Sequence, residues 1–228
     1  MQDDTTNNKQ KIEMQRFKLT ILIFGLLLFG CNQTDSKNSL ATNEKSANTA
    51  DDKEEIKNLV RQVYKWHEAQ KPSNNDMITD GKDSIYIAFN LDQLKLDISE
   101  LKETNLFADE FVDNYNKIYL TLDKKLKSKE FEWLVGDLPP FGNDANPWCN
   151  CQDVPYDKPN PWDLIEVEII NLQSDKGELN WKWGKTELNE APGWKEFTYR
   201  FGVVKENGKW KISYLEGFSF DEFTRKNY

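Results

Sequence analysis

The chain has 228 residues, which suits one domain with tails at roughly 100–200 residues per domain. Its 30 Lys and Arg against 39 Asp and Glu give a formal charge of −9, which argues against a nucleic-acid-binding domain, whose phosphate contacts need a basic stripe. An aromatic share of 13%, with eight Trp, excludes a fully disordered chain; three Cys exclude a disulfide scaffold, and one His excludes a multi-histidine metal site.

Residues 1–13 are polar, and Met14 would open a more regular leader, so translation is expected to begin there. Arg16 and Lys18 precede an apolar run over residues 19–30 that is too short for a bilayer span of about 20 residues. A basic start followed by a short apolar stretch has the form of a secretory signal. The run ends in Leu28-Phe29-Gly30-Cys31, which resembles the bacterial lipobox. That resemblance implies cleavage before Cys31, diacylation of its thiol and anchoring by acyl chains at about 0.8 kcal/mol per buried methylene. Residues 31–52 then read as the lipidated Cys and a flexible tether with almost nothing to bury.

The globular part is expected over residues 53–228. Ile56, Leu59, Val60, Val63, Tyr64 and His67 recur at a spacing near 3.6, and Asp52 with Glu55 forms a D-x-x-E capping signature, so a first helix is predicted up to Lys71-Pro72. Asp80-Gly81 reads as a turn, and residues 84–89 as a short strand. Asn90 and Gln93 can cap a second helix carrying Leu91, Leu94, Ile98 and Leu101. A third helix places Phe107, Phe111, Tyr115, Ile118, Tyr119, Leu122 and Leu126 on one stripe and ends in a lysine cluster that suits its dipole. Residues 131–135 are a further short strand candidate.

Six of the eight Pro fall between Pro139 and Pro161, so residues 138–163 form a long loop, and Phe141, Trp148, Tyr156 and Trp162 argue that it packs on something. From Leu164 the pattern alternates with period two in four runs, through Val167, Trp181, Tyr199 and Ile212. Ser174–Gly177, Pro192-Gly193 and Asn207-Gly208 separate the runs, the last being a type I′ hairpin signal. Four strands in an antiparallel meander follow, with Glu166 and Glu168 set to pair with Lys182, Arg200 and Lys211 on the outer face. The expected fold class is α+β, with N-terminal amphipathic helices packed on a curved antiparallel sheet.

An amphipathic first helix, further helices and then strands ending in the Tyr199–Ile212 unit (Tyr-Arg-Phe…Lys-Glu-Asn-Gly-Lys-Trp-Lys-Ile) resemble the nuclear transport factor 2-like cone, and especially the bacterial envelope lipoproteins of that superfamily. The resemblance covers roughly residues 53–217. It implies a cone-shaped domain that serves either small-molecule enzymes or non-catalytic binders, so the fold does not set the function.

Within that frame His67 is the candidate general base of a dehydratase- or isomerase-type enzyme, against the plainer reading of a partly buried, hydrogen-bonded histidine. Cys149 and Cys151 form a strained disulfide that pins the loop, stay as buried thiols, or serve redox exchange or metal ligation. Asp144, Asp153, Asp157 and Asp163 match no calcium-loop spacing and read as turn formers, so no metal and no cofactor is expected. Trp181, Trp183 and Trp210 are assigned to the core, while Trp148, Trp162, Tyr199 and Tyr214 are candidates for a ligand pocket or its rim. The leading expectation is a non-catalytic lipoprotein of the cell envelope, lipid-anchored at Cys31 to a bacterial membrane (the outer membrane, facing the periplasm). Its cone-like domain would bind a small ligand or a protein partner and no nucleic acid. The alternatives are an enzyme built on His67 and a purely structural envelope component.

Overall fold

A computed structural model describes residues 41–70, 77–82, 84–152, 160–184 and 196–225. The signal, Cys31, the first part of the tether, Asp153, Asp157, Tyr156 and the Pro192-Gly193 turn lie outside the described residues. Helix α1 spans Ala41–Ala69, so it begins within the stretch expected to be a tether. Alanines interleaved with Glu44 and Lys45 are helix formers that extend the amphipathic segment towards its N-terminus.

Two short strands, β1 (Met77–Thr79) and β2 (Ile85–Phe89), come between α1 and the next helix. They pair antiparallel, and β2 also pairs with β3 (Trp133–Leu134) to make a three-stranded sheet. The strand expected over residues 84–89 is present as β2 and that over 131–135 as the shorter β3, so the helices do not all precede the strands as the expected helices-then-sheet order had it. At the turn, Gly81 takes a φ of 75° while Asp80 Oδ1 accepts from the amides of Lys82 and Ser84.

Helix α2 (Leu91–Glu103) starts at Asn90, whose side chain accepts from the amides of Asp92 and Gln93. Helix α3 (Asp109–Lys127) begins two residues after Phe107, which was expected inside it. Residues 106–108 instead run alongside the last strand: Ala108 N donates to Ile212 O at 2.8 Å, and Ile212 N to Leu106 O at 2.9 Å. That pairing covers a sheet edge that would otherwise be open. On α3, the buried carboxylate of Asp123 accepts from Phe89 N at 3.0 Å and Lys127 Nζ at 2.7 Å, tying the helix to β2.

The larger sheet is the expected meander of β4 (Glu166–Leu172), β5 (Lys176–Lys182), β6 (Tyr199–Glu206) and β7 (Lys209–Leu215), antiparallel in that order. Asn207 and Gly208 both take positive φ, 53° and 78°, as a type I′ turn requires. On the outer face Glu166 pairs with Lys182, whereas Arg200 pairs with Glu178, Lys211 with Glu206, and Glu168 faces Asn180. The chain is thus an α+β protein with antiparallel sheets. Its core brings together Ile56, Val60 and Tyr64 of α1, Ile118 and Leu122 of α3, and Leu179, Trp181, Phe201 and Ile212 of the sheet.

Asp52 and Glu55 do not cap α1; they dock it. Asp52 Oδ1 accepts from Trp210 Nε1 at 2.8 Å and from Lys205 Nζ at 2.6 Å, and Glu55 Oε1 accepts from Trp210 N at 3.2 Å. Burial pushes the Asp52 carboxyl up, but the hydrogen bonds from Lys205 and Trp210 outweigh it and hold the group below its ordinary value. Asp52→Ala is expected to lower the unfolding free energy by about 1–3 kcal/mol, because it strands an indole donor and an ammonium that are largely screened from water. Urea titration checks this, with Asp51→Ala, one residue away and exposed, expected to stay within about 0.5 kcal/mol of the parent.

Candidate functional site

The described part of the Pro-rich segment packs on the core. Asn146 organises its described part: its side-chain oxygen accepts from Trp148 N at 3.0 Å, its carbonyl from Cys149 N and Asn150 N, and its amide donates to Cys151 O. Asn150 sits in the left-handed region at a φ of 49°, which Asn tolerates better than most residues, and its side chain accepts from Asn143 Nδ2. Cys149 and Cys151 are joined in a disulfide across that one residue. A bridge closing so small a loop restricts the unfolded chain little, about 1.5 kcal/mol by loop-closure entropy.

The loop is held to the core by two buried phenols. Tyr64 on α1 donates to Trp148 O at 2.8 Å and accepts from Trp181 Nε1 at 2.7 Å. Tyr199 on β6 donates to Pro147 O at 2.7 Å and accepts from Gly217 N at 3.0 Å. Burial pushes both phenols well above their ordinary value, so each remains a neutral donor. Gly217 is required because a Cβ there would stand 2.0 Å from Pro147 O.

Where the C-terminal end of α1 meets this loop, Tyr64, His67, Glu68, Asn146, Trp148, Cys149 and Trp162 line a cleft of about 280 Å³. His67 stacks on Trp148 at 4.5 Å between ring centres, and Tyr64 stacks on Trp162 at 4.3 Å. Asn160 orders the far wall: its side-chain oxygen accepts from Trp162 N while its amide donates to Glu68 Oε2 at 3.1 Å. Trp162 is 3% exposed, yet its Nε1 has no hydrogen-bond partner among the described residues. Such an orphaned buried donor is uncommon and calls for an acceptor. Burial pushes the His67 imidazole down to about 4, against a small upward pull from Glu68, so the ring is neutral near pH 7.

His67, Trp148 and Trp162, singled out in the sequence, therefore meet in one place, and Cys149 joins them. Tyr199 and Tyr214 do not. Tyr199 is wholly buried and spent on the loop. Tyr214 lies on the opposite side of the sheet beside Arg200, because a bulge at Ser213 breaks the alternation: Ile212 pairs with Val203, then Tyr214 with Gly202. Trp181, Trp183 and Trp210 are core residues, each at most 4% exposed. Asp163 pairs with Lys65, and no group of three or more His, Cys, Asp or Glu among the described residues could hold a metal ion. Sequence reasoning missed Tyr64, Glu68 and Asn146. Tyr64 carried only the signal of a core position, and no local pattern marked the other two.

Compared with protein-family models, curated proteins and solved structures, the chain returns no match.

Two measurements bear on the site. His67 is the sole histidine, so its Hε1 resonance is unambiguous and is expected to titrate near 4. The unfolded chain takes up that proton near 6.5, so stability is full above 6.5 and falls with pH towards 4, by about 3 kcal/mol at most. The difference between the parent and His67→Gln isolates this slope from that of the carboxylates. Separately, Tyr64→Phe is expected to cost about 1–3 kcal/mol, since it leaves Trp181 Nε1 and Trp148 O without their partner.

Proposed function

We propose that this protein is a bacterial envelope lipoprotein, anchored through Cys31, whose folded body binds a small ligand without transforming it. The observation that carries the binding reading is the cleft between α1 and the Cys149 loop, an aromatic enclosure of about 280 Å³ walled by His67, Trp148 and Trp162. Such a site suits a flat, largely apolar molecule that stacks against its ring faces. The α+β order, with α1 laid against the last strand of the meander, is compatible with a nuclear transport factor 2-like cone, and that architecture is part of the proposal. The anchoring reading is supported by the basic start, the short apolar run and Cys31 at its end. Among the described residues no helix is long and apolar enough to cross a membrane.

One feature favours a second reading, an enzyme using His67, because the ring is neutral and lines the cleft. Its basicity argues the other way. A base that protonates near 4 is far from the working pH at which proton transfer is efficient, and the ring is occupied in stacking on Trp148.

Screening aromatic carboxylates against the protein by NMR is expected to find compounds that shift the His67 resonance and quench Trp fluorescence. A screen in which no compound moves His67 overturns the binding reading. For the anchor, Cys31→Ser is expected to abolish palmitate labelling and release the protein from membranes; persistence of both the label and the membrane fraction overturns it.

A further inference from the structure

We propose that the Cys149–Cys151 disulfide, whose Cys149 stands in the cleft wall, is an exchange site through which small thiols and dithiols arriving at Cys151 transfer electrons to the protein. The proposal rests on the binding reading only for its consequence in the cleft, since the thiol arrives at Cys151 from solvent. It adds a chemical activity, whose reactant class is the thiol.

The bridge is placed for reaction. Cys149 is a wall residue of the cleft, 2% exposed, while Cys151 is partly open to solvent. The loop has fastenings besides the bridge. Asn146 makes four hydrogen bonds to residues 148–151, Asn143 bonds Asn150, and the Tyr64 and Tyr199 phenols hold the carbonyls of Trp148 and Pro147. A link that joins neighbours already fixed in place, and that constrains little of the unfolded chain, contributes chiefly its redox chemistry.

The more exposed residue of the pair, Cys151, sets the direction of attack. An incoming thiolate displaces at Cys151 Sγ, forming a new sulfur–sulfur bond as the Cys149–Cys151 bond breaks. The bonding pair stays on Cys149 Sγ, which takes up the proton the incoming thiol released. With a dithiol, the second thiolate attacks the reagent's own sulfur in the mixed disulfide and expels Cys151, which is protonated in turn. Two electrons and two protons pass from the dithiol to the bridge, and the reagent leaves as its own disulfide. Reversal by an oxidised small disulfide restores the starting state. Because Trp148 adjoins Cys149 and stacks on His67, the redox state of the bridge is read directly by the cleft.

The test uses the full chain carrying Cys31→Ser, in which Cys149 and Cys151 are the remaining cysteines. Dithiothreitol is added under native conditions, with alkylation, intact mass and His67 NMR as readouts. Exchange is expected to give two alkylated thiols faster than global unfolding, to shift the His67 resonance with near-ultraviolet dichroism retained, and to reverse on adding oxidised glutathione. Cys149→Ser in that background is expected to trap glutathione on Cys151. Reduction that proceeds only at the rate of unfolding, or that unfolds the chain, overturns the proposal and makes the bridge structural. The double variant Cys149→Ser/Cys151→Ser separates the two readings. If aromatic carboxylates still shift His67 in it, the cleft binds ligands whatever the outcome of exchange.

Discussion

Two buried tyrosine hydroxyls hold this structure's functional end together. Tyr64 and Tyr199 come from different layers, a helix and a strand, and they donate to the consecutive carbonyls of Trp148 and Pro147. Each phenol also accepts a hydrogen bond, from Trp181 Nε1 and from Gly217 N, so both oxygens are satisfied in donor and acceptor roles. A loop laid into a core brings polar backbone with it, and an unpaired carbonyl there costs about as much as a lost hydrogen bond. The phenols remove that cost at two adjacent points and thereby fix where Trp148 and Cys149 stand. Since burial keeps both hydroxyls protonated, the clamp does not loosen over ordinary pH.

What the sequence made legible was local. Period-two alternation and Asn207-Gly208 specify a hairpin through backbone geometry alone, and Asn90 specifies a helix start through its own side chain. The rest depended on partners far along the chain. Asp52 and Glu55 have the spacing of a capping box, yet a carboxylate beside a buried indole N–H finds a better use in docking, and the spacing cannot distinguish the two. Tyr214 was expected at a ligand pocket or its rim, on the inward face that counting in twos gives it. One extra residue at Ser213 reverses that parity, and bulges leave no reliable mark in composition. Of the site, His67, Trp148, Trp162 and Cys149 stood out individually as unusual residues. Their convergence did not, because it is produced by Tyr64, whose phenol is indistinguishable in sequence from any other aromatic on an apolar stripe.

The cleft's chemistry follows from what it lacks as much as from what lines it. Among its lining residues are a histidine held neutral, a phenol held protonated and a glutamate that accepts a hydrogen bond from Asn160. Acid–base catalysis needs groups whose affinities for protons straddle the working pH. An enclosure of stacked rings fits the proposed recognition role, where apolar contact supplies affinity.

The disulfide gains its meaning from that arrangement. In many small extracellular domains a bridge substitutes for a core, and reduction collapses the fold. Here the core is large and aromatic, and the loop is already fixed by hydrogen bonds that do not involve sulfur. Fold stability and sulfur chemistry are therefore separable: the bond between Cys149 and Cys151 can open and close while Pro147 and Trp148 remain clamped. Only residues in direct contact would register the change, and those are the rings that line the cleft. A binding site whose wall can alter its covalent state without altering its scaffold couples occupancy to the redox condition of its surroundings, and it needs no moving domain to do so.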